Sequence, residues 1–184
     1  MSLNTMDDKR ARFEGLVMPH LDAAYRFARW LCRPGEADDV VQDAILRAYR
    51  GFEALRGSDA KAWLLTIVRN CHLTAVKQQQ RRVFVPLPEE GDTTDQAMIA
   101  SDADPEKDTI MSDQKQVLER LLNSLPEEHR TVLMLREIEE MDYAQIAAVT
   151  NVPIGTVMSR LARSRAALKS KWMHEVEGVP HAVR

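Results

Sequence analysis

The sequence predicts an all-α protein: two small helical domains joined by an acidic flexible linker. Three observations carry that expectation. Glycine is scarce, seven in 184 residues, and β-branched runs are few, which argues against a large sheet. Ala, Leu, Arg, Glu and Gln dominate, a composition that favours helix. Charge divides the chain into unlike parts. Residues 1–82 hold 14 basic and 10 acidic side chains (net +4), residues 83–112 one basic and eight acidic (net −7), and residues 113–184 ten of each. The middle piece also carries Pro86, Pro88, Gly91 and Pro105 with no sustained apolar period, as a poorly ordered connection would. Domains are therefore expected at 10–82 and 112–175, with the linker at 83–111. Each domain is small, so each core is thin.

Composition excludes several function classes. Hydrophobic residues make up 45% and charged residues 29%, which suits a soluble globular chain. No apolar run approaches the roughly 20 residues that span a bilayer, so no membrane insertion is expected. Asp7 and Asp8 have no apolar run behind them, so no signal peptide is expected and the cytoplasm is the default. Cys32 and Cys71 are far apart and form no CxxC, which predicts neither a disulfide framework nor a metal site. There is no Gly-rich phosphate loop and no nucleophile motif. The expectation is a protein without cofactor that is not an enzyme.

In the first domain, residues 10–32 form a helical pattern through Phe13, Leu16, Val17, Leu21, Ala24, Phe27, Ala28 and Leu31. Pro19 should kink or split it, and Pro34-Gly35 ends it. A second helix follows from about Glu36 to Phe52, with Val40, Val41, Ala44, Ile45, Ala48, Tyr49 and Phe52 spaced for one buried stripe. Its opposite face is unusual: Asp39, Gln42, Asp43, Leu46, Arg47 and Arg50 make a second continuous stripe with a leucine at its centre. A solvated face rarely needs that leucine, so the stripe reads as a docking face for a partner.

Ser58 or Asp59 should cap a third helix over about 60–80. Its core stripe is expected to be Trp63, Leu64, Ile67, Val68, Cys71 and Ala75, with Trp63 also placed where it could buttress a base-binding pocket. Lys61, Arg69, Asn70, His72, Lys77 and Gln78–Gln80 line the other face. From Ala60 to Pro88 there is no acidic residue. A basic face with amide donors fits nucleic acid. His72 has no second ligand beside it and reads as an ordinary surface or capping histidine.

In the second domain a helix is expected over 112–124, with Ser112 as N-cap and Val117, Leu118, Leu121, Leu122 and Leu125 apolar. Pro126 opens the next helix ahead of Glu127 and Glu128, favourable for its dipole. That helix buries Val132, Leu133, Leu135 and Ile138 and carries Glu137, Glu139 and Glu140 on its polar side. Then comes MDYAQIAAVTNVPIGTVMSRLARSRAAL. Asp142 and Gln145 make a capping-box-like start, Tyr143–Val149 a short helix, Asn151–Pro153 a tight connection, and a longer helix runs from about Ile154. That is helix-turn-helix spacing. On the long helix Val157, Leu161, Ser164, Leu168 and Trp172 cluster inward. Thr156, Ser159, Arg163 and Ser170 lie opposite, with Arg160 on one flank. Hydroxyls and arginines on such a helix suit major-groove readout.

Three stretches together resemble the small extracytoplasmic-function (ECF, group IV) sigma factors of bacterial RNA polymerase, in the sigma-70 family: EADDVVQDAILRAYR (36–50), AWLLTIVRN (62–70) and LPEEHRTVLMLREIEEMDYAQIAAVTNVPIGTVMSRLARSRAAL (125–168). Their order and the intervening linker also match. The resemblance implies a region 2 bundle and a region 4 helix-turn-helix. It implies that Asp39, Gln42, Asp43, Leu46 and Arg47 dock on the β′ clamp helices of core RNA polymerase. It places the −10 contacts at Arg56, Lys61, Trp63, Arg69, Asn70, Lys77 and Arg81, where a flipped non-template base is captured. Thr156, Ser159, Arg160 and Arg163 would read the −35 element of promoter DNA, and region 4 would also dock on the β flap. The acidic linker is similar to the segment that threads toward the RNA exit path. Many relatives are held by an anti-sigma factor, so one is expected here. Met158 departs from the family pattern, which often places a basic residue there, and −35 sequence preference does not carry over.

Two other binding functions compete with promoter recognition by a polymerase. A stand-alone helix-turn-helix regulator would bind palindromic duplex DNA tightly by itself. A sigma mimic would sequester an anti-sigma factor and would not need Arg160 and Arg163.

Overall fold

The computed structural model describes residues 3–33, 35–55, 59–83 and 108–177, with side chains at 7–33, 35–55, 59–81 and 116–175. The linker from 84 to 107 and the Arg56–Ser58 turn, including the −10 candidate Arg56, lie outside the described residues. Eight α-helices occur among those that are described, with no strand: α1 Leu3–Leu16, α2 Leu21–Leu31, α3 Ala37–Arg50, α4 Ala60–Val83, α5 Asp108–Asn123, α6 Glu127–Glu137, α7 Tyr143–Thr150 and α8 Ile154–Glu177. They group into two compact units. One comprises Met1–Ala97 with Ala144–Asn151; the other comprises Met98–Tyr143 with Val152–Arg184.

In the first unit Pro19 acts as expected. It sits in a one-turn 3-10 segment, Met18–His20, that separates α1 from α2. Proline lacks the donor an α-helix needs there, so the pattern splits. Phe13 anchors α1 edge-on against Tyr49 and Phe52, at centroid distances of 5.2 and 5.4 Å. Lys9 and Arg12 cover the outer faces of those two rings. The turn after α2 has Gly35 at φ +87°, which an L side chain adopts only with strain.

α4 packs against both α2 and α3, which also pack on each other. Ala24, Ala28, Ala44 and Ala48 are fully buried, and their small size lets these helices approach closely. Phe27, Val41, Leu64, Leu65 and Val68 fill the space between, each worth about 1.5–3 kcal/mol of burial. Asp59 caps α4, accepting from the Ala62 amide at 2.9 Å.

Two expectations for α4 need correction. Ala75 is exposed, because the buried part of the helix ends near His72. His72 is buried, and its Nδ1 lies 3.5 Å from Cys32 Sγ at the end of α2. With helices on two sides, α4 buries a wider face than one stripe, and Ala62 and Leu65 join the core as well.

In the second unit α8 packs on α6 and α5. Leu121, Leu122, Leu125, Val132, Leu133, Met134, Leu135, Met141, Val157 and Leu161 form the core. Polar clasps fix α8 in register. Ser164 Oγ stands 2.6 Å from the Arg160 carbonyl and 3.1 Å from the His129 carbonyl on α6. Lys171 donates to Ser124 Oγ at 2.6 Å, and Arg165 donates to Glu137 through Nε and a terminal nitrogen.

Five expectations here are corrected. Ser112 is not an N-cap, since α5 begins a turn earlier at Asp108. Leu118 and Ile138 are exposed, and Glu139 is buried. The last two follow from one cause: α6 ends at Glu137, so the positions after it leave the helical period. Pro126 is the N-cap of α6, one position earlier than expected. Asn151, which begins the connection before α8, has φ 54°, a left-handed conformation asparagine tolerates better than most residues.

Candidate polymerase-docking and nucleic-acid interfaces

The docking stripe expected on α3 is present as an exposed face. Asp39 and Gln42 are exposed, and Leu46 retains 51% of its surface. Asp43 and Arg47, one helical turn apart, are paired through two contacts: Nε to Oδ1 at 3.0 Å and a terminal nitrogen to Oδ2 at 2.9 Å. The aspartate precedes the arginine, the favourable order on a helix. Asp43 holds the Arg47 guanidinium charged even more firmly than usual.

Behind this face a groove of about 220 Å³ runs between α3 and α4. Asp39, Asp43 and Arg47 line one side, and Cys71, Thr74 and Gln78 the other. Cys71 is buried, and burial, aided by the negative charge of Asp43, pushes its thiol up to about 11. It is therefore a packed neutral thiol rather than a nucleophile.

Apart from Arg56, the −10 candidates fall on α4 but differ in exposure. Trp63 is half-buried at the helix start. Lys61 and Arg69 are half-buried; Asn70, Lys77 and Arg81 are exposed. The Asn70 side chain is not consumed by the Thr74 hydroxyl, which donates to the Asn70 backbone carbonyl at 2.8 Å. Between Asn70 and Arg81 successive basic and amide groups face outward without a carboxylate among them.

On α8 the expected inward residues Val157, Leu161 and Ser164 are buried, while Leu168 and Trp172 are half-buried. Ser159 and Arg163 are exposed and Thr156 half-exposed. Ser159 Oγ donates to the Thr156 carbonyl at 3.0 Å, which orients the hydroxyl and leaves its lone pairs outward. Arg160 differs from Arg163. Its side chain retains only 18% of its surface and is ion-paired to Glu128 in the first turn of α6, a carboxylate that is itself 68% exposed. No ion pair reaches Arg163 among the described residues. Sequence reasoning missed the Glu128 partner because the pair spans 32 residues, which no local period reports. The Asp43–Arg47 pair, by contrast, is local, at i and i+4.

Among the described residues no group of three or more His, Cys, Asp or Glu could hold a metal ion, and no helix is long and apolar enough to cross a membrane. Residues 16–82 match Sigma-70 region 2 and residues 115–168 match Sigma-70, region 4. The chain is 33% identical over 144 residues, 74% of each chain, to the ECF RNA polymerase sigma-E factor of Escherichia coli (strain K12).

The chain belongs to the ECF sigma factors of the sigma-70 family. It is thus an alternative sigma factor of transcription initiation, in a family of binding factors rather than enzymes. The Haemophilus influenzae sigma-E factor is 34% identical over 169 residues, covering 89% of this chain and 88% of that one. The Bartonella quintana sigma factor RpoE, solved in complex with the anti-sigma factor NepR, aligns with a TM-score of 0.68 at 26% identity, over 88% of this chain and 97% of that one. CnrH, solved in complex with the cytosolic domain of CnrY, shares the fold with a TM-score of 0.57 at 23% identity. Both halves of the ECF plan, read from three short stretches of sequence, therefore stand in this chain.

Proposed function

We propose that this chain brings core RNA polymerase to promoters through two functional domains, about 10–82 and 112–175, and does no bond chemistry itself. The α3 face of Asp39, Gln42, Asp43, Leu46 and Arg47 docks on the β′ clamp helices, and the second domain docks on the β flap. Arg56, Lys61, Trp63, Arg69, Asn70, Lys77 and Arg81 take the −10 element, Lys77 and Arg81 meeting backbone phosphates. Thr156, Ser159 and Arg163 face the −35 element. Arg160 joins them at a phosphate after exchanging its partner Glu128. The site of action is the cytoplasm, and an anti-sigma factor competes for the chain.

The observation that carries this reading is the pairing of two modest cationic helix faces with an acidic chain. Net charge is −3 overall and −7 across 83–112, a poor field for a free-standing DNA binder. Two weak contacts held at fixed spacing by polymerase gain avidity through effective concentration. Extruding a base costs a few kcal/mol, which a fitted pocket beside Trp63 offsets.

In-vitro transcription with core polymerase, with and without the chain, on a genomic fragment library tests this. Discrete new transcripts are expected. A chain that fails to associate with core, or associates and starts no RNA, overturns it. Asp43→Arg should lose core association in a pull-down while helicity by circular dichroism is unchanged; normal association would remove the α3 face from the docking surface.

A further inference from the structure

The recognition helix has an apolar flank that its expected role leaves unused. Ile154, Met158 and Ala162 recur at i, i+4 and i+8 and all are exposed, Ile154 by 47% and Met158 by 53%. This ridge lies beside Ser159 and Arg163, on the first turns of α8, the part of such a helix that meets base edges.

The surrounding charge says what covers it. From Ile154 to His174 there is no acidic residue, while Arg160, Arg163, Arg165, Lys169 and Lys171 are basic. A ridge set in an acid-free cationic helix faces a polyanion. The apolar feature that duplex DNA offers in its major groove is the C5-methyl group of thymine. Ile154 sits at the helix start. Met158 stands one turn further in, level with Ser159, and its unbranched thioether can follow an irregular surface. Ser159 is already tied to the Thr156 carbonyl and Arg160 to Glu128, so Met158 and Arg163 are the long side chains this half of the helix extends outward.

We propose that Met158 reads a thymine methyl group in the −35 element and so acts as a specificity-determining residue. The proposal rests on α8 being the −35 helix. It implies a thymine at a fixed position of the promoters this factor selects.

The test uses holoenzyme, the full chain on core polymerase, and a −35 duplex taken from fragments it selects. Each thymine is replaced singly by deoxyuridine, which removes only the methyl group. One replacement should weaken binding about fourfold, the factor for one buried methyl. In Met158→Ala that position should no longer distinguish thymine from uracil, while thermal unfolding is unchanged. The proposal is overturned if the selected −35 element contains no thymine, if no position responds, or if the response persists in Met158→Ala. It is also overturned if Met158→Ala lowers association with core polymerase in the absence of DNA, since the ridge would then bind protein. Holoenzyme that selects no fragment at all would sink the sigma-factor reading of α8 rather than the role of Met158.

Discussion

The two longest helices, α4 and α8, each have 24 residues, start without an acidic first turn and carry basic side chains. We propose that they are nevertheless used differently, and the number of neighbours explains why. α4 is packed by α2 and α3, so Leu64, Leu65, Val68, Cys71 and His72 are all buried; its first half offers only an edge, through Lys61, Trp63, Arg69 and Asn70, and its far half is open. α8 leans chiefly on α6, so Val157, Leu161 and Ser164 form a narrow buried stripe and, apart from Arg160 under Glu128, most of its first three turns stays open. A helix with one principal neighbour can enter a groove; a helix held on two sides can only offer an edge or an end. That difference fits duplex readout by α8 and single-strand capture at α4.

The largest expected effect tests this contrast directly. Leu65→Ala on α4 should destabilise the first unit by about 2–5 kcal/mol in denaturant unfolding. Met158→Ala on α8 should change stability by less than about 0.5 kcal/mol. Equal losses would mean that α8 is as enclosed as α4 and the contrast is false.

Next in size, Arg163→Ala should weaken closed-complex binding by about 1–3 kcal/mol, as a lost base contact does. Asn70→Ala should leave closed binding near normal and impair opening. Footprinting reports the first and permanganate reactivity of the bubble the second. A converse pattern would exchange the roles of the two helices.

Glu128→Gln is expected to act more gently. Releasing Arg160 should strengthen promoter binding by up to about fivefold at low salt, the equivalent of a surface ion pair. Weaker binding in a salt titration would show that Glu128 orients Arg160 for DNA instead of competing for it.

The smallest effect concerns Cys71, whose thiol is pushed from an ordinary 9.0 to about 11 by burial. Between those values the unfolded chain gives up the thiol proton while the native chain keeps it, so the native state binds more protons. This contribution to stability is intact below pH 9 and declines as pH rises toward about 11. Unfolding midpoints of wild type and Cys71→Ala should converge or cross over that interval; parallel curves would mean that the thiol is not shielded.

Most of the helical plan was legible in the chain. Pro19 splits the first pattern, Asp59 caps α4, and the inward stripe of α8 appears at Val157, Leu161 and Ser164 because these signals act within a few residues. The α3 stripe, with Leu46 at its centre, could be singled out for the same reason. His72 and Ala75 in the middle of α4, and Glu139 just past the end of α6, were misjudged because burial there depends on what arrives from elsewhere. His72 meets Cys32 across 40 residues, and a single-helix period carries no record of that.

Sequence alone therefore determined the elements, their order, their charge and the family, since propensity, capping and periodicity are local properties of a chain. The tertiary structure decided which outward groups are available: it covered Arg160 with Glu128, left Arg163 and Met158 open, and enclosed Cys71 between α3 and α4. Availability follows from close packing and desolvation by distant partners, and those forces act only once the helices have met.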